Sequence, residues 1–491
     1  MKTDKNIIII GGGVAGLSAG IYGQLNGFST TLFEMHSVAG GQCTAWKRKD
    51  YTFDYCIHWL VGSSSGAFNT IWKETDALND RVRIVNHDTY ATLMDENGEE
   101  FIIYSSIDRW EEYLLEKAPE DEAAIRKMCA DMRKMSYLDL FENEAGSRSL
   151  SDYFRMLLKS RKALVMMGRY GRQSTRQYFD SLRLKNEWLR TNLNRAMGDG
   201  TFSAIAFLMT LAWFSNNNAG YPMGGSLPFA QRMAERYRQL GGELKLKTRV
   251  EKILVKDGRA IGVRLEDGSE YLADYVISAA DLHATMYGML DGKYVPAEVE
   301  KAFKQWPLFN PVIQISFGIS VPISTRHHMI RYTAPGNKLG RTALKDGFSL
   351  ADYNFDPVIT PEGKCIMKML AESPWELWEG MSKEEYQEEK RRIEEDAVKL
   401  LLSVHPEVEG HIEVVDVATP RTGARYTGVY RGSYEGFLPT KENIGKNLKM
   451  EVPGLKNFYQ IGQWAFPGGG LPPSVQSGKW VIQKINKKAA K

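Results

Sequence analysis

The chain opens with a run of isoleucines, Ile7 to Ile10, that ends in a glycine-rich turn. Continuous β-branched runs are typical of strands buried on both faces of a parallel sheet. Residues 17–26 then repeat apolar positions at helical spacing, Gly27 follows where such a helix ends, and residues 30–33 form a second apolar run. This order of strand, helix and strand predicts a βαβ unit.

Two later stretches show related patterns. Residues 226–240 are typical of a helix, and the Asp-Gly pairs at 257–258 and 267–268 are hairpin turn signals between three short strands that end near residue 280. Near the C-terminus, a short apolar strand at 458–461 precedes a glycine-rich turn and a helix with two prolines in its first turn. The second helix N-terminus is therefore also suited to an anion.

Two long segments separate these stretches. Residues 76–219 are helical in pattern and end near an apolar run at 204–214, which is shorter than the roughly 20 apolar residues that a membrane-spanning helix needs. Core packing is the default interpretation of this run, and the wall of a tunnel for a long apolar substrate is the alternative. Residues 300–415 begin with an alternating strand and include an amphipathic helix over 382–402.

The turn after the first strand has the spacing of a dinucleotide-binding site. Gly11 is expected to make the tight turn, Gly13 to let the backbone approach a pyrophosphate, and Gly16 to allow close packing of helix and strand. The helix N-terminus would direct N–H groups and a positive dipole end at the phosphates. Glu34, eighteen residues beyond Gly16, can accept both ribose hydroxyls, which favours FAD or NAD over NADP.

The residues after Glu34 favour FAD. Gly40 and Gly41 are followed by Gln42, and the segment 53–59 contains a His-aromatic pair that begins at His58. With these motifs the chain resembles the FAD-containing superfamily of phytoene desaturases, carotenoid isomerases, retinol saturases and amine oxidases. In that superfamily the Gly-Gly pair lies against the FAD pyrophosphate, and the usual Arg after it is Gln42 here. The His-aromatic pair is most similar to the retinol saturase and carotenoid isomerase branch.

The resemblance implies an α/β fold, with a Rossmann-like FAD-binding domain of the glutathione reductase-like type and a mixed α+β substrate domain. Residues 1–75, 220–299 and 416–491 are expected to form the FAD-binding domain, and residues 76–219 and 300–415 the substrate domain. The expected cofactor-binding residues are Gly11, Gly13, Val14, Ala15, Gly16, Glu34, Met35, Gly40, Gly41, Gln42, His58, Val250, Ala280, Gly462, Gln463, Gly470, Leu471 and Ser474.

His58 is the candidate catalytic residue, because an imidazole beside the flavin can deliver or remove a proton. The alternative is a neutral histidine that fills a hydrogen-bond position near the cofactor. Four aromatic residues are candidates for contact with the substrate, and Tyr426 or Tyr434 is expected beside the flavin. The four are Trp59, Trp213, Tyr426 and Tyr434. No spacing of His, Cys or acidic residues indicates a metal site.

The predicted function is that of an FAD-dependent oxidoreductase acting on carbon–carbon bonds of a long apolar isoprenoid or polyene, by desaturation, saturation or cis–trans isomerisation. A flavin amine oxidase is the rival enzyme, although no cysteine lies beyond Cys365 to attach a flavin covalently in the C-terminal part. Prenyl-protein escort proteins share this fold without flavin, but they tend to lose the pyrophosphate glycines that are all present here. No second GxGxxG marks a nicotinamide domain, so the electron donor or acceptor stays undetermined.

Composition changes this picture in two respects. The 491 residues carry 63 Lys and Arg against 60 Asp and Glu, a net charge of +3 that does not indicate a nucleic-acid partner. The four cysteines form no CxxC and favour a reducing, cytoplasmic location. Basic residues nevertheless concentrate at 155–190 among apolar ones, which suits docking on an anionic bilayer. An ordinary solvated helix face is the alternative, and membrane association is left open.

Overall fold

The computed structural model describes residues 4–136, 138, 143–345 and 347–489. The helices in these ranges are α1 (Val14–Leu25), α2 (Gly66–Glu74), α3 (Ile107–Lys117), α4 (Glu122–Met135), α5 (Leu150–Tyr170), α6 (Thr175–Leu182), α7 (Glu187–Ala196), α8 (Ala204–Ser215), α9 (Ser226–Gln239), α10 (Ala297–Gln305), α11 (Lys383–Val404), α12 (Pro420–Thr427) and α13 (Leu471–Ala489). They surround two large sheets.

The strands follow the chain in this order. The first twelve are β1 (Asn6–Ile10), β2 (Ser29–Phe33), β3 (Ala45–Arg48), β4 (Tyr51–Asp54), β5 (Leu60–Val61), β6 (Ile84–Val85), β7 (Thr89–Met94), β8 (Glu100–Tyr104), β9 (Ala219–Pro222), β10 (Glu243–Lys245), β11 (Val250–Lys256) and β12 (Arg259–Leu265). The others are β13 (Glu270–Leu272), β14 (Tyr275–Ser278), β15 (Val312–Ile319), β16 (Met329–Tyr332), β17 (Lys338–Leu339), β18 (Thr342–Ala343), β19 (Phe348–Asp352), β20 (Cys365–Glu372), β21 (Ile412–Ala418), β22 (Glu451–Val452) and β23 (Leu455–Gln460).

The first sheet has nine strands and contains the predicted βαβ unit. Its order is β10-β2-β1-β14-β23-β12-β11, with β13 beside β12 and β22 beside β23. Strand β1 lies parallel to β2 on one side and to β14 on the other, so that Ile8 is paired with Thr31 and Val276. All four isoleucines are buried, as a strand covered on both faces requires. Chain segments hundreds of residues apart therefore meet in one parallel sheet, and the predicted α/β fold class is confirmed.

The second sheet has the order β21-β15-β20-β19-β16-β7-β8 and is mostly antiparallel. Ile315 and Phe317 of β15 pack into a core that includes Ile393 of α11, the predicted amphipathic helix. The alternating polar residues Gln314 and Ser316 are also buried, because this face of β15 lies against the β3–β4 hairpin, where Gln314 Nε2 donates to the Asp54 backbone oxygen at 2.9 Å.

One part of the first insert differs from its helical prediction. Residues 89–94 and 100–104 form β7 and β8, which join the second sheet through parallel pairing of β7 with β16. The turn between them has Gly98 at a positive φ of 79°, and Asp95 Oδ1 accepts hydrogen bonds from the Asn97 and Glu99 amides. This local turn and the tertiary pairing decide the conformation, which the surrounding helical pattern did not indicate.

The division into an FAD-binding and a substrate domain stays a prediction, and strand β21 runs across its boundary at residues 415 and 416. Within the described ranges, no helix is both long enough and apolar enough to cross a bilayer. The same residues contain no group of three His, Cys, Asp or Glu side chains arranged to hold a metal ion.

Candidate active site

A cavity of about 1460 Å³ lies where residues of both large sheets and of α8 converge. Its lining includes Ile10, Phe33 and Ile461, which lie at or directly after the carboxyl ends of the parallel strands β1, β2 and β23. Ligands of open α/β sheets bind at this edge, because helix N-termini and loops converge there. The cavity is therefore the candidate active site.

The structure brings together nearly all of the predicted site residues. Every one of them lines the cavity, with the exception of Gly16. Gly16 instead packs α1 against the first turn, and a Cβ at this position would lie 1.9 Å from the Gly11 backbone oxygen. Gly11 itself is at a positive φ of 96°, and its N–H donates to the Phe33 backbone oxygen at 2.8 Å. These positions require glycine for the reasons that the motif indicates.

Glu34 follows β2 and faces the first turn. Its Oε2 accepts a hydrogen bond from the Gly12 N–H at 2.7 Å, and its Oε1 accepts one from the His36 N–H at 2.8 Å. Burial raises the pKa of this carboxyl, while both backbone donors oppose that shift. The two bonds fix the carboxyl beside the glycine turn, and each oxygen keeps a lone pair for a further donor such as a ribose hydroxyl.

The segment that contains Val250 and Ala280 closes the cavity beside the glycine turn at Gly11. Ala280 lies two residues after the end of β14, and a Cβ on Gly11 would lie 3.2 Å from the Ala280 nitrogen. Val250 begins β11, and the neighbouring Arg249 lies within 3.9 Å of the Met35 sulfur through its Nη1. Val250, Ala280 and Met35 thus belong to the part of the cavity that contains Glu34, where the resemblance places the adenosine.

The C-terminal segment supplies the other glycine turn. Gly462 is at a positive φ of 113°, and its N–H donates to Ser477 Oγ of α13 at 3.0 Å. Ser474 Oγ donates to the Gly470 backbone oxygen at 2.6 Å, so this hydroxyl is used within the first turn of the helix. Gln463 Nε2 reaches the Ser433 backbone oxygen at 3.5 Å. The start of α13 is thereby connected to the loop before it.

His58 lies on the cavity wall, and its Nδ1 is 3.3 Å from the Tyr353 hydroxyl. Burial, together with the charges of Lys368 and His328, lowers the pKa of His58 well below its usual range. Burial also raises the pKa of Tyr353, so the phenol stays protonated beside Nδ1. His58 is consequently neutral at neutral pH, with one ring nitrogen that accepts and one that donates a hydrogen bond, and it is not a strong acid.

The four candidate aromatic residues all line the cavity, but at different places. Trp59 packs on Phe214 of α8, with ring centroids 5.3 Å apart. Tyr434 packs on Phe309 at 5.4 Å. Tyr426 is half exposed and packs on His36, two residues beyond Glu34. Tyr426 thus lies at the end of the cavity that contains Glu34, and a place beside the flavin stays a prediction for which Tyr434 is the better candidate.

Three of the polar residues of the cavity wall that were not predicted lie close to Tyr434 in the site. They are Tyr90 of β7, Arg331 of β16 and Glu435, which follows Tyr434. Burial raises the pKa of Glu435 to about 7. The sequence does place Glu435 directly after the candidate Tyr434, but Tyr90 and Arg331 belong to elements whose approach to the site only the second sheet establishes.

The residues around both glycine turns fit a dinucleotide. In the described part of the chain, a Cβ built on Gly13 would meet no atom closer than 3.9 Å, and one on Gly462 none closer than 4.0 Å. Side chains here would therefore occupy cavity space that a cofactor needs. Helix α1 begins at Gly13 without a side-chain cap, so the N–H groups of its first turn remain suited to phosphate oxygens.

The fold and these turns define a dinucleotide-binding oxidoreductase of the FAD type. The family model for flavin-containing amine oxidoreductases matches residues 14–485, nearly the whole chain. The chain belongs to this family, which confirms the predicted superfamily, the FAD cofactor and the assignment as an FAD-dependent oxidoreductase.

Two kinds of relative are similar over almost the full length. Prolycopene isomerase 2, chloroplastic, of an Oncidium hybrid cultivar is 26% identical over 500 residues, which cover 98% of this chain and 84% of the relative. The 4,4'-diaponeurosporene oxygenase of Staphylococcus aureus strain MW2 is 24% identical over 511 residues, which cover 99% of each chain.

Solved structures support the fold at lower identity. An oxidoreductase from Methanosarcina mazei superposes with a TM-score of 0.65 at 16% identity, covering 98% of this chain and 100% of the other. Cyclohexylamine oxidase from Brevibacterium oxydans superposes with a TM-score of 0.60 at 12% identity, covering all of both chains. At these identities the likeness shows the fold alone.

Proposed function

We propose that this FAD-dependent oxidoreductase acts on carbon–carbon bonds of a long apolar isoprenoid or polyene, by cis–trans isomerisation, saturation or desaturation. The observation that carries the proposal is the apolar wall which α8 adds to the cavity beyond the glycine turns. Its lining residues include Phe207, Met209, Leu211, Trp213 and Phe214. The relatives named for prolycopene and 4,4'-diaponeurosporene, both carotenoids, match along nearly the whole chain and agree with such a substrate.

A flavin amine oxidase is the alternative within the same family. The amine oxidases among the solved structures share only the fold at their level of identity, and the full-length relatives are named for carotenoids. A small amine also needs no extended apolar wall, whereas a long polyene gains free energy from every part of its length that leaves water. The polyene is therefore the better supported substrate.

The chain's own residues divide the work of binding. We propose that Gly11, Gly13 and the start of α1 hold the pyrophosphate, that Glu34 holds the ribose, and that Gly462 and the start of α13 hold the flavin end. FAD, when bound, supplies the exchange of a hydride or electrons with the substrate. Trp59 and Phe214 would position the polyene and exclude water from the reacting bond. The electron partner is not assigned.

We propose that the chain divides into the predicted FAD-binding and substrate domains, because the two sheets take their strands from different ranges of the chain. The first sheet is built from strands within residues 1–75, 220–299 and 416–491. The second sheet takes β7 and β8 from residues 76–219 and most of its other strands from 300–415. The cavity is lined from both sheets, as expected when one domain holds the cofactor and the other covers the substrate.

We further propose that α5 docks on an anionic lipid bilayer. The helix exposes large apolar side chains, among them Leu150 at 89%, Phe154 at 64% and Val165 at 59% exposure. Exposed basic residues of the predicted stretch at 155–190 lie along the same helix, including Arg155, Arg161 and Arg169. Helix α5 packs on α8, which lines the cavity, so docking would bring a membrane-dissolved substrate close to the site.

The activity is tested by incubating the FAD-loaded protein with prolycopene or 4,4'-diaponeurosporene in anionic vesicles and separating the products by chromatography. We expect a changed geometric isomer or a changed number of double bonds. Trp213→Ala, which shortens the α8 wall while leaving the glycine turns intact, should keep bound FAD and lose turnover. Conversion of putrescine or cyclohexylamine without conversion of either carotenoid would establish the amine oxidase instead.

A further inference from the structure

Four polar side chains form a cluster on the cavity wall. Tyr90, Arg331, Tyr434 and Glu435 all line the cavity and come from β7, from β16 and from the segment between α12 and β22. Each tyrosine lies within electrostatic range of both charged groups, because Arg331 lowers and Glu435 raises the pKa of Tyr90 and of Tyr434 alike. The cluster thus joins two strands of the second sheet to a loop in an otherwise largely apolar wall.

Glu435 lies where α13 begins. A Cβ on Gly469 would be 2.2 Å from the Glu435 backbone oxygen, and one on Gly470 would be 3.2 Å from Glu435 Oε1. The carboxyl group therefore lies against the glycine turn that, in the proposed function, holds the flavin end. A substrate bond placed at the flavin would be within reach of this carboxyl.

The surroundings of Glu435 differ from those of the other acidic residues in the cavity. Within the described residues, its carboxyl makes no hydrogen bond or ion pair. By contrast, Glu372 Oε2 accepts a hydrogen bond from Asn310 Nδ2 at 2.8 Å, and Glu376 pairs with Arg431. The guanidinium of Arg331 donates to the Ala196 backbone oxygen at 3.1 Å. Nothing in the described chain therefore stabilises the ionised form of Glu435 by direct contact.

The electrostatic balance at Glu435 favours the protonated acid. Burial raises its pKa to about 7, and the phenols of Tyr90 and Tyr434 are themselves held protonated by burial. Burial alone accounts for the shift at Glu435, while the charges of Arg331 and Glu372 act on the pKa of Tyr434. A carboxylic acid that titrates close to the working pH can both donate and recover a proton.

We propose that Glu435 is the acid–base residue that exchanges a proton with a carbon atom of the polyene during cis–trans isomerisation, an inference that rests on the proposed function. The O–H bond of Glu435 breaks as a C–H bond forms at the expense of one π bond. The resulting positive charge is spread along the polyene, which lowers the order of neighbouring double bonds and allows rotation. The C–H bond then breaks, the π bond re-forms and Glu435 recovers its proton. No net electrons are transferred.

This assignment gives Glu435 the proton transfer that the sequence suggested for His58. The neutral His58 shares a hydrogen bond with the Tyr353 hydroxyl through Nδ1 and has only a weakly acidic N–H, so its ring is suited to positioning. Tyr90 and Tyr434, both protonated, are placed to orient the polyene near the acid.

The first test needs no substrate. Difference infrared spectra of the FAD-loaded protein between pH 5 and pH 9 should contain the carbonyl band of a protonated carboxyl that disappears with a midpoint about 7. This band should be absent from Glu435→Gln and retained in Glu372→Gln, the matched cavity acid with a hydrogen-bond partner. Persistence of the band in Glu435→Gln, or full ionisation of Glu435 at pH 5, would overturn the proposal.

The second test follows prolycopene in deuterated water. Wild-type protein should introduce solvent deuterium at a polyene carbon, with activity that falls above about pH 7. Glu435→Gln should keep its FAD absorbance and lose roughly 100-fold or more in turnover. If the carotenoid is isomerised without deuterium uptake, or by Glu435→Gln at the wild-type rate, the inference alone fails. If only amines are converted, the proposed function fails and the inference fails with it.

Discussion

At the residue scale, the distance to neighbouring backbone atoms decides which side chain a position can accommodate. Gly16 never reaches the cavity, yet the backbone oxygen of Gly11 occupies the space where its Cβ would lie. Glu34 is held by two backbone amides before any ligand is considered. The glycine motif thus acts through packing as well as through phosphate contact, and its members should respond differently to substitution.

We expect Gly16→Ala to displace α1 from the first turn, since the atom 1.9 Å from the new Cβ belongs to the backbone and cannot rotate away. Overpacking of this kind costs about 1–3 kcal/mol, and the shift of the helix N-terminus should weaken FAD binding. The measurements are urea unfolding and the ratio of flavin to protein absorbance.

Gly168→Ala in α5 is the matched control for this substitution. No atom lies within 4 Å of a Cβ there among the described residues. Its unfolding free energy should stay equal or rise by up to about 1 kcal/mol, because alanine is the better helix former. Equal stability and flavin content in both variants would contradict the packing argument at Gly16.

Glu435 should also impose a pH dependence on stability. Its pKa is raised in the folded protein from 4.5 to about 7, so between these values the folded state holds a proton that the unfolded state has lost. The contribution of Glu435 is therefore fully present below about pH 4.5 and is lost as the pH rises through about 7. At about 1.4 kcal/mol per pKa unit the full shift would be worth about 3.5 kcal/mol, and partial accessibility from the cavity reduces it to roughly 2 kcal/mol.

This contribution is measured as the difference in unfolding free energy between wild type and Glu435→Gln at several pH values. Burial also raises the pKa values of Asp281 and Asp352 to about 6, but those groups act equally in both proteins. The difference should change by roughly 2 kcal/mol between pH 4.5 and pH 8. A constant difference across that range would show that Glu435 is ionised in the fold.

At the element scale, the apolar residues of α5 and α8 serve different purposes. Helix α8 is apolar around most of its circumference and is buried, with one side in the core and another on the cavity. Helix α5 carries basic residues and leaves much of its apolar surface exposed. An apolar stretch in the sequence is compatible with core, cavity wall or docking surface, and only the packing of each helix distinguishes them.

For α5 we expect binding to vesicles that contain anionic lipid and weaker binding to neutral ones. Replacing Phe154 and Leu157 with Glu should reduce co-sedimentation at least tenfold, since burial of each apolar side chain contributes about 1.5–3 kcal/mol. Added salt should weaken the wild-type interaction, because each basic residue near the surface contributes about 1 kcal/mol.

The control is Leu272→Glu on β13, which replaces another apolar side chain, exposed to 66%, away from α5. It should bind vesicles like the wild type. Vesicle binding that changes neither with salt nor with the α5 substitutions would argue against α5 as the docking surface. Equal loss of binding in the Leu272→Glu variant would argue against it as well.

At the scale of the whole molecule, one cavity joins parts of the chain that are hundreds of residues apart. Gly13, Val250 and Gly462 lie in three separate segments, and all three line it. The second sheet contributes Arg331 from a fourth segment. A ligand that contacts the segments of Gly13, Val250 and Gly462 must therefore stabilise these three segments together.

FAD should consequently raise the midpoint of thermal unfolding for the whole first sheet in one transition. At a concentration 1,000 times its dissociation constant, a ligand that binds only the folded state stabilises it by about 4 kcal/mol. Differential scanning calorimetry with and without FAD measures this shift. In Gly16→Ala the shift should shrink, whereas in Gly168→Ala it should equal that of the wild type. Two separate transitions, of which only one responds to FAD, would contradict coupling through the cavity.

The sequence by itself determined the βαβ unit, the hairpins at 257–258 and 267–268, and the three glycine-rich segments, because each depends on local spacing and backbone conformation. Turn residues and buried strands leave such signals within a few positions. The FAD cofactor followed from these motifs together with the family resemblance, and the family match confirms it.

Only the tertiary structure decided the positions of residues whose neighbours lie far away in the chain. In the structure, Tyr426 lies at the end of the cavity that contains Glu34, and β7 and β8 belong to the second sheet. Tyr90, Arg331 and Glu435 lie together on one wall of the cavity. The pKa of Glu435 likewise depends on burial by those segments. Desolvation and cross-sheet contact have no local sequence pattern, so they became visible only once the chain had been brought together.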